Sequence, residues 1–395
     1  MRISERVKRI APSLTLAVTQ RAAQLRAQGV DIIGFGAGEP DFGTPQHIQR
    51  AATEAIARGA TKYTHVAGTA ELRRAVADEL NAAHGTDWNT DEVIVSCGAK
   101  HSLFNLFMAL LDEGDEVIIP SPCWVSYPEL VSMAGGTPVI LATHARDDFR
   151  IDLAELAKLV TKKTRAIVLC SPSNPTGAMI DAETMVGVAR ILEERASADA
   201  FVITDDIYRR LVYRGEWVSL PKLVPGWRRR TILVDGVSKS YAMTGWRIGY
   251  CAAPKELVGA MITLQGQSTT NAAAPSQAAA LAALTGPQDE VETMRREFDK
   301  RRQVMIAALR AMPGVTVSEP AGAFYAFPDL SAFLDEKNGF ADDLALAERL
   351  LERGVALVPG SGFLAPGFMR LSYATSMKNI EEGMRRLGAA LAELA

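Results

Sequence analysis

The run Thr231-Ile232-Leu233-Val234 leads into Gly236-Val237-Ser238-Lys239-Ser240-Tyr241-Ala242-Met243-Thr244-Gly245-Trp246-Arg247. Its first four residues are apolar or β-branched, which predicts a short strand buried on both faces. Lys239 follows that strand closely. A lysine amine kept dry enough to lose its proton can form a Schiff base with an aldehyde. Ser238 and Arg247 add a hydroxyl and a guanidinium able to hold a phosphate beside it. Taken alone, the run also fits an ordinary surface lysine after a strand, and the rest of the chain has to decide.

Working outward, similar short apolar runs occur at Val93–Ser96, Glu116–Ile119, Pro138–Ala142, Ala166–Cys170, Phe201–Thr204 and Ile248–Ala252. Several are separated by helical patterns, such as residues 101–111, where Leu103, Phe104, Leu106, Phe107, Leu110 and Leu111 share one broad side. This alternation predicts an α/β fold with a mostly parallel sheet flanked by helices. Ligands of such a sheet gather at the carboxyl ends of its strands. Beyond residue 287 the pattern changes: a charged helix over about 288–311, then strand candidates at Val315–Val317 and Ala323–Phe327. The expected division is an N-terminal segment (1–45) joining a small C-terminal α+β domain (288–395), with a large α/β domain (46–287) between.

The 395 residues are 48% hydrophobic and 23% charged, with a net charge of −3. These values fit a globular protein and give no overall field favouring nucleic acid or an anionic membrane. Arg228-Arg229-Arg230 reads as a solvated turn. The four cysteines, Cys97, Cys123, Cys170 and Cys251, are scattered. That argues against a metal knuckle or a disulfide framework, and it suits a reducing, cytoplasmic setting. No apolar run is long enough to span a bilayer, and the first residues lack the apolar core of a secretion signal.

Other residues stand where a phosphate-bearing aldehyde cofactor would need them. Gly98-Ala99-Lys100 follows the strand Val93–Ser96 and opens a helix, an anion-binding arrangement. Asp205 ends an apolar strand, with Tyr208 three residues later; Asp205-Asp206 is also good strand-end turn chemistry. Asn174, in Ser173-Asn174-Pro175-Thr176-Gly177, follows another strand, and turn chemistry explains that string equally well. By type alone, Trp124 is a core tryptophan, Tyr63 a half-buried loop tyrosine, and Ser13 and Thr15 helix caps. Neither Gly98 nor Gly34-Phe35-Gly36-Ala37-Gly38 completes a G-x-G-x-x-G dinucleotide fingerprint, which disfavours a dehydrogenase.

Assembled in this order, the strings resemble the fold-type I pyridoxal-phosphate transferases, and within them the class I aminotransferases. The similarity is greatest to bacterial aspartate aminotransferases of the Ib subgroup, and it runs from Pro12-Ser13 to beyond Arg370. The resemblance implies pyridoxal 5′-phosphate joined to Lys239, which also shuttles the proton. It implies Asp205 on the ring nitrogen, Tyr208 and Asn174 on the ring's 3-oxygen, and Trp124 stacked on the ring. Gly98, Ala99, Lys100, Ser238 and Arg247 would hold the phosphate, with Tyr63 reaching the site of a second subunit in a homodimer. Arg370 and Gly38, with Trp124 and Asn174 nearby, would receive the substrate's α-carboxylate. Lys100, Ser13 and Thr15 would receive the distal carboxylate of aspartate. The Asn174–Pro175 bond would be cis, no metal is called for, and closure of the small domain would exclude water.

The activity implied is transfer of the aspartate amino group to 2-oxoglutarate. Some relatives that also use prephenate carry a lysine before the Pro-Ser pair, where this chain has Ala11. Alternatives are an aromatic, alanine or prephenate aminotransferase, a β-lyase on the same fold, or the ligand-sensing domain of a regulator. The last needs a DNA-binding domain ahead of the match, for which the dozen preceding residues leave no room.

Overall fold

The computed structural model describes residues 3–8, 10, 14–335 and 340–394. A seven-stranded mixed sheet organises residues 93–252, with the strand Thr231–Gly236 wholly buried near its middle. In spatial order its strands are Val93–Ser96, Gly249–Ala252, Thr231–Gly236, Phe201–Asp205, Thr164–Cys170, Glu116–Ser121 and Thr137–Ala142. Six of them run in one direction, while Gly249–Ala252 is antiparallel to both its neighbours. The reason lies in the connection. Residues 237–248, which separate it from the previous strand, hold no α-helix among them, and the chain turns back.

Local chemistry sets the helices around this sheet. Ala70–His84 starts where the Thr69 hydroxyl accepts from the Leu72 N–H at 3.3 Å, and stops at Gly85, a left-handed cap with φ 64°. Ala99–Leu110 buries Leu103, Leu106 and Phe107 against the sheet. It begins at Ala99, where Gly98 supplies the break, as the Gly98-Ala99-Lys100 string predicts.

A second group of strands lies elsewhere. Ile33–Gly34 pairs in parallel with Val355–Ala356, while Tyr325–Ala326, Met369–Ser372 and Val358–Pro359 form an antiparallel sheet. The long helix Asp289–Arg310 and the helix Met377–Ala392 cover one core there, built from Phe298, Met305, Ile380, Met384 and Leu387 among others. Val315–Val317 is not a strand: only Thr316 bridges Asp329, since Gly314 turns the chain before it and Glu319 is drawn to Arg302 and Arg214 after it. The Arg228–Arg230 run is not a free solvated turn either. Arg228 pairs with Asp87 and Glu92 and stacks on Trp88, and Arg230 pairs with Glu193.

Register brings the strand ends together. Ser96 and Gly236 both face Gly249, Val234 faces Asp205, and Asp205 faces Cys170. The loops at this edge carry Gly98, Trp124, Asn174, Tyr208, Ser238 and Lys239, while Arg370 comes from the strand Met369–Ser372 of the other sheet. Among the described residues no helix is long and apolar enough to cross a membrane.

Candidate active site

Lys239 stands on the turn after the central strand, partly buried. Its Nζ donates to the Gly38 carbonyl at 2.6 Å. Burial first, and then the positive Arg370, bring its pKa down to about 8 from the ordinary 10.5. A usable fraction of neutral amine is therefore present near neutral pH.

Asp205 ends the neighbouring strand, 4% exposed. Its Oδ2 accepts from the Tyr127 hydroxyl at 2.6 Å and its Oδ1 from the Ile207 N–H at 3.4 Å. Burial pushes its pKa up, and the Tyr127 bond opposes this. Among the described residues no cation is ion-paired with it. Asp206 points the other way, as alternation along a strand requires. It accepts from the Thr204 hydroxyl at 2.6 Å and lies 3.8 Å from His84.

Asn174 is buried, and the Asn174–Pro175 peptide is cis. The Tyr208 and Tyr325 hydroxyls are 3.0 Å apart. Burial, and then Tyr325, hold the Tyr208 phenol well above its usual pKa, so it remains a donor. Arg370, in the strand Met369–Ser372, is 3% exposed. It donates to Asn174 Oδ1 at 3.1 Å and to the Gly36 carbonyl at 2.9 Å, and it lies over the Tyr325 ring. Its buried Nε has no hydrogen-bond partner among the described residues. Burial lowers its pKa, and no carboxylate pairs with it among the described residues. A desolvated guanidinium with an idle donor is a receptor for a carboxylate.

Gly98 caps the helix Ala99–Leu110 with φ 92°. A Cβ there would sit 2.5 Å from an Arg247 guanidinium nitrogen. Gly249 is needed equally, since a Cβ on it would strike the Gly98–Ala99 backbone. The bare backbone of both residues lets a helix N-terminus and Arg247 converge; Ser238, one residue before Lys239, is buried. Lys100 is exposed, with its Nζ 4.8 Å from the centre of the Trp124 ring. Burial, and then Arg247, lower its pKa. Two adjacent cations at a helix N-terminus, neither paired with a carboxylate among the described residues, suit an anion.

Tyr63 lies apart from these groups and is 86% exposed, not half-buried. Ser13 lies outside the described residues, and of Thr15 only the helical backbone is described. Tyr127, Tyr325 and Gly36 are contacts that reading along the chain does not assign. Tyr127 meets the Trp124 ring across the turn that leads into the helix Ser126–Met133, a contact seen only in the fold. Tyr325 lies in a strand of two residues, too short to show a pattern.

Residues 30–387 match the family model for aminotransferases of class I and II. An aspartate aminotransferase of Bacillus sp. (strain YM-2) is 44% identical over 98% of this chain and 98% of its own. An aspartate/prephenate aminotransferase of Nitrosomonas europaea is 44% identical over 99% of this chain and 100% of its own. The solved Thermus thermophilus aspartate aminotransferase with maleate superposes with a TM-score of 0.92 at 43% identity, over 99% of this chain and 100% of that one.

Proposed function

We propose that this chain, which belongs to the class I and II aminotransferases, moves the amino group of L-aspartate to 2-oxoglutarate, giving oxaloacetate and L-glutamate. Its cofactor is pyridoxal 5′-phosphate. The observation that carries the reading is the buried Arg370, with an idle Nε and no carboxylate partner among the described residues, beside an amine whose pKa has fallen to about 8.

The cofactor fits the residues present. Lys239 offers the amine, Asp205 a buried carboxylate with no ion-paired cation among the described residues for the ring nitrogen, and Tyr208 and Asn174 donors for the 3-oxygen. Trp124 offers a face for the ring. Gly98, Ala99, Lys100, Ser238 and Arg247 offer the phosphate cradle. When bound, the group supplies an exchangeable carbonyl and a cationic ring that accepts electron density from the substrate's Cα. Arg370 takes the α-carboxylate in a fork, with Gly38 alongside, and sets the Cα–H toward Lys239. Lys239 Nζ removes that proton and returns it as general base and acid. Lys100, with Ser13 and Thr15, takes the distal carboxylate. The maleate of the Thermus relative, a dicarboxylate, supports this preference.

A homodimer with Tyr63 reaching the partner's site belongs to the same reading, supported by that ring's 86% exposure. So does the division at residues 45 and 287, supported by the pairing of Ile33–Gly34 with Val355–Ala356. Four free cysteines support a cytoplasmic setting. One observation favours prephenate as a second amino acceptor: Phe104, Met133 and Leu364 line an apolar cavity shared with Lys100 and Arg247.

The test is a half-reaction. Purified enzyme loaded with the cofactor is mixed with one amino acid at a time, and its visible absorbance is followed. Aspartate and glutamate should discharge the colour, and alanine and phenylalanine should do so poorly. Equal response to all four would remove the dicarboxylate preference.

A further inference from the structure

Tyr127 lies in the first turn of the helix Ser126–Met133 and is 2% exposed. Its ring meets Trp124 edge-on at 5.3 Å between centroids. Its hydroxyl makes the 2.6 Å bond to Asp205 Oδ2, and no other side chain among the described residues donates to that carboxylate. Cys170, the register partner of Asp205, closes the same space.

We propose that Tyr127 is a positioning residue, whose O–H fixes one oxygen of Asp205 so that the negative charge stays on the carboxylate facing the cofactor's ring nitrogen. The proposal rests on the cofactor reading above. A carboxylate this deeply buried takes up a proton readily unless donors hold it charged. For Asp205, burial pushes the pKa up, and the Tyr127 bond is the largest opposing influence. The phenol meanwhile is held well above its usual pKa by burial and then by Asp205. Its proton therefore stays on the phenolic oxygen and the charge on the carboxylate. Phenylalanine at this position would keep the ring packing against Trp124 and remove only the donor. Asp205 would then more easily become neutral, and a neutral acid does not favour a protonated ring nitrogen.

The test compares wild-type, Tyr127→Phe and Tyr127→His enzymes loaded with cofactor. Three quantities are read: the cofactor dissociation constant, the pH midpoint of the visible band, and kcat separately from KM. In Tyr127→Phe, kcat should fall about 10- to 100-fold, as for loss of a hydrogen bond to a charged group. Its KM values should stay within about threefold of wild type. The pH midpoint should move and the cofactor should bind more weakly. Tyr127→His, which offers a ring N–H, should recover part of each loss. A Tyr127→Phe enzyme with wild-type kcat and an unmoved midpoint would overturn the proposal. Should Tyr127→Phe not fold, Tyr127→His behaving like the donorless Tyr127→Leu would overturn it as well. Wild-type protein that takes up no cofactor would count against the functional reading instead.

Discussion

The Lys239 amine and the Arg370 guanidinium donate to carbonyls two residues apart, Nζ to Gly38 at 2.6 Å and Nη2 to Gly36 at 2.9 Å. One short stretch thus sets the spacing between the amine and the carboxylate receptor. The stretch is anchored from both sides. Ile33–Gly34 is paired with Val355–Ala356 before it, and beyond it Arg301 bonds Asp41 at 2.7 Å and Thr244 bonds Glu39 at 2.7 Å.

Replacing Lys239 by alanine should reduce turnover by at least about 10³-fold, since a general base and acid contributes on that order. The measurement is steady-state aspartate turnover; a rate near wild type would remove Lys239 from the mechanism.

The depressed Lys239 pKa has a consequence for stability. The folded value, about 8, lies below the ordinary 10.5, so the unfolded chain binds more protons between those pH values. Stability from this group is therefore lowest below pH 8 and is recovered as pH rises toward 10.5. Cofactor-free Lys239→Met should be more stable than cofactor-free wild type below pH 8, by up to about 3 kcal/mol. The gap should close toward pH 10.5. Denaturant unfolding across that window checks it; a constant gap would contradict the shift.

Arg370→Met should separate stability from activity. It removes a buried guanidinium that no carboxylate among the described residues compensates, so unfolding stability should fall by no more than about 1 kcal/mol. Catalytic efficiency should fall by at least about 10²-fold for aspartate and 2-oxoglutarate alike, because both present an α-carboxylate. A loss confined to one substrate would contradict the assignment.

Lys100→Ala should raise the aspartate KM by about 10- to 100-fold, and raise it far less for an amino acid without side-chain charge. Equal effects would leave Lys100 with the cofactor phosphate alone.

Gly98→Ala places a Cβ 2.5 Å from the Arg247 guanidinium at φ 92°. It should cost about 1–3 kcal/mol of stability, and it should weaken cofactor retention by displacing Arg247. Equilibrium unfolding and dialysis of the loaded enzyme measure the two effects.

Much of the large sheet is legible in the sequence, because its strands are apolar on both faces and stand apart. Lys239, Asp205, Asn174 and Trp124 are legible for a related reason: each lies just beyond a carboxyl strand end. The small sheet is not, since strands such as Val355–Ala356 and Val358–Pro359 have two residues each and owe their pairing to distant partners. The bond from Tyr127 to Asp205 spans 78 residues, and local spacing carries no record of it. Lys100 reads as a phosphate ligand, yet its position over Trp124 also follows only from folding.

The most direct test is chemical. Enzyme loaded with pyridoxal phosphate is reduced with borohydride, digested and mapped by mass spectrometry. The expected result is one pyridoxyl-phosphate adduct, on the peptide containing Lys239, and none in Lys239→Ala. An adduct on another lysine, or none on active wild-type protein, would contradict the claim that this amine carries the cofactor.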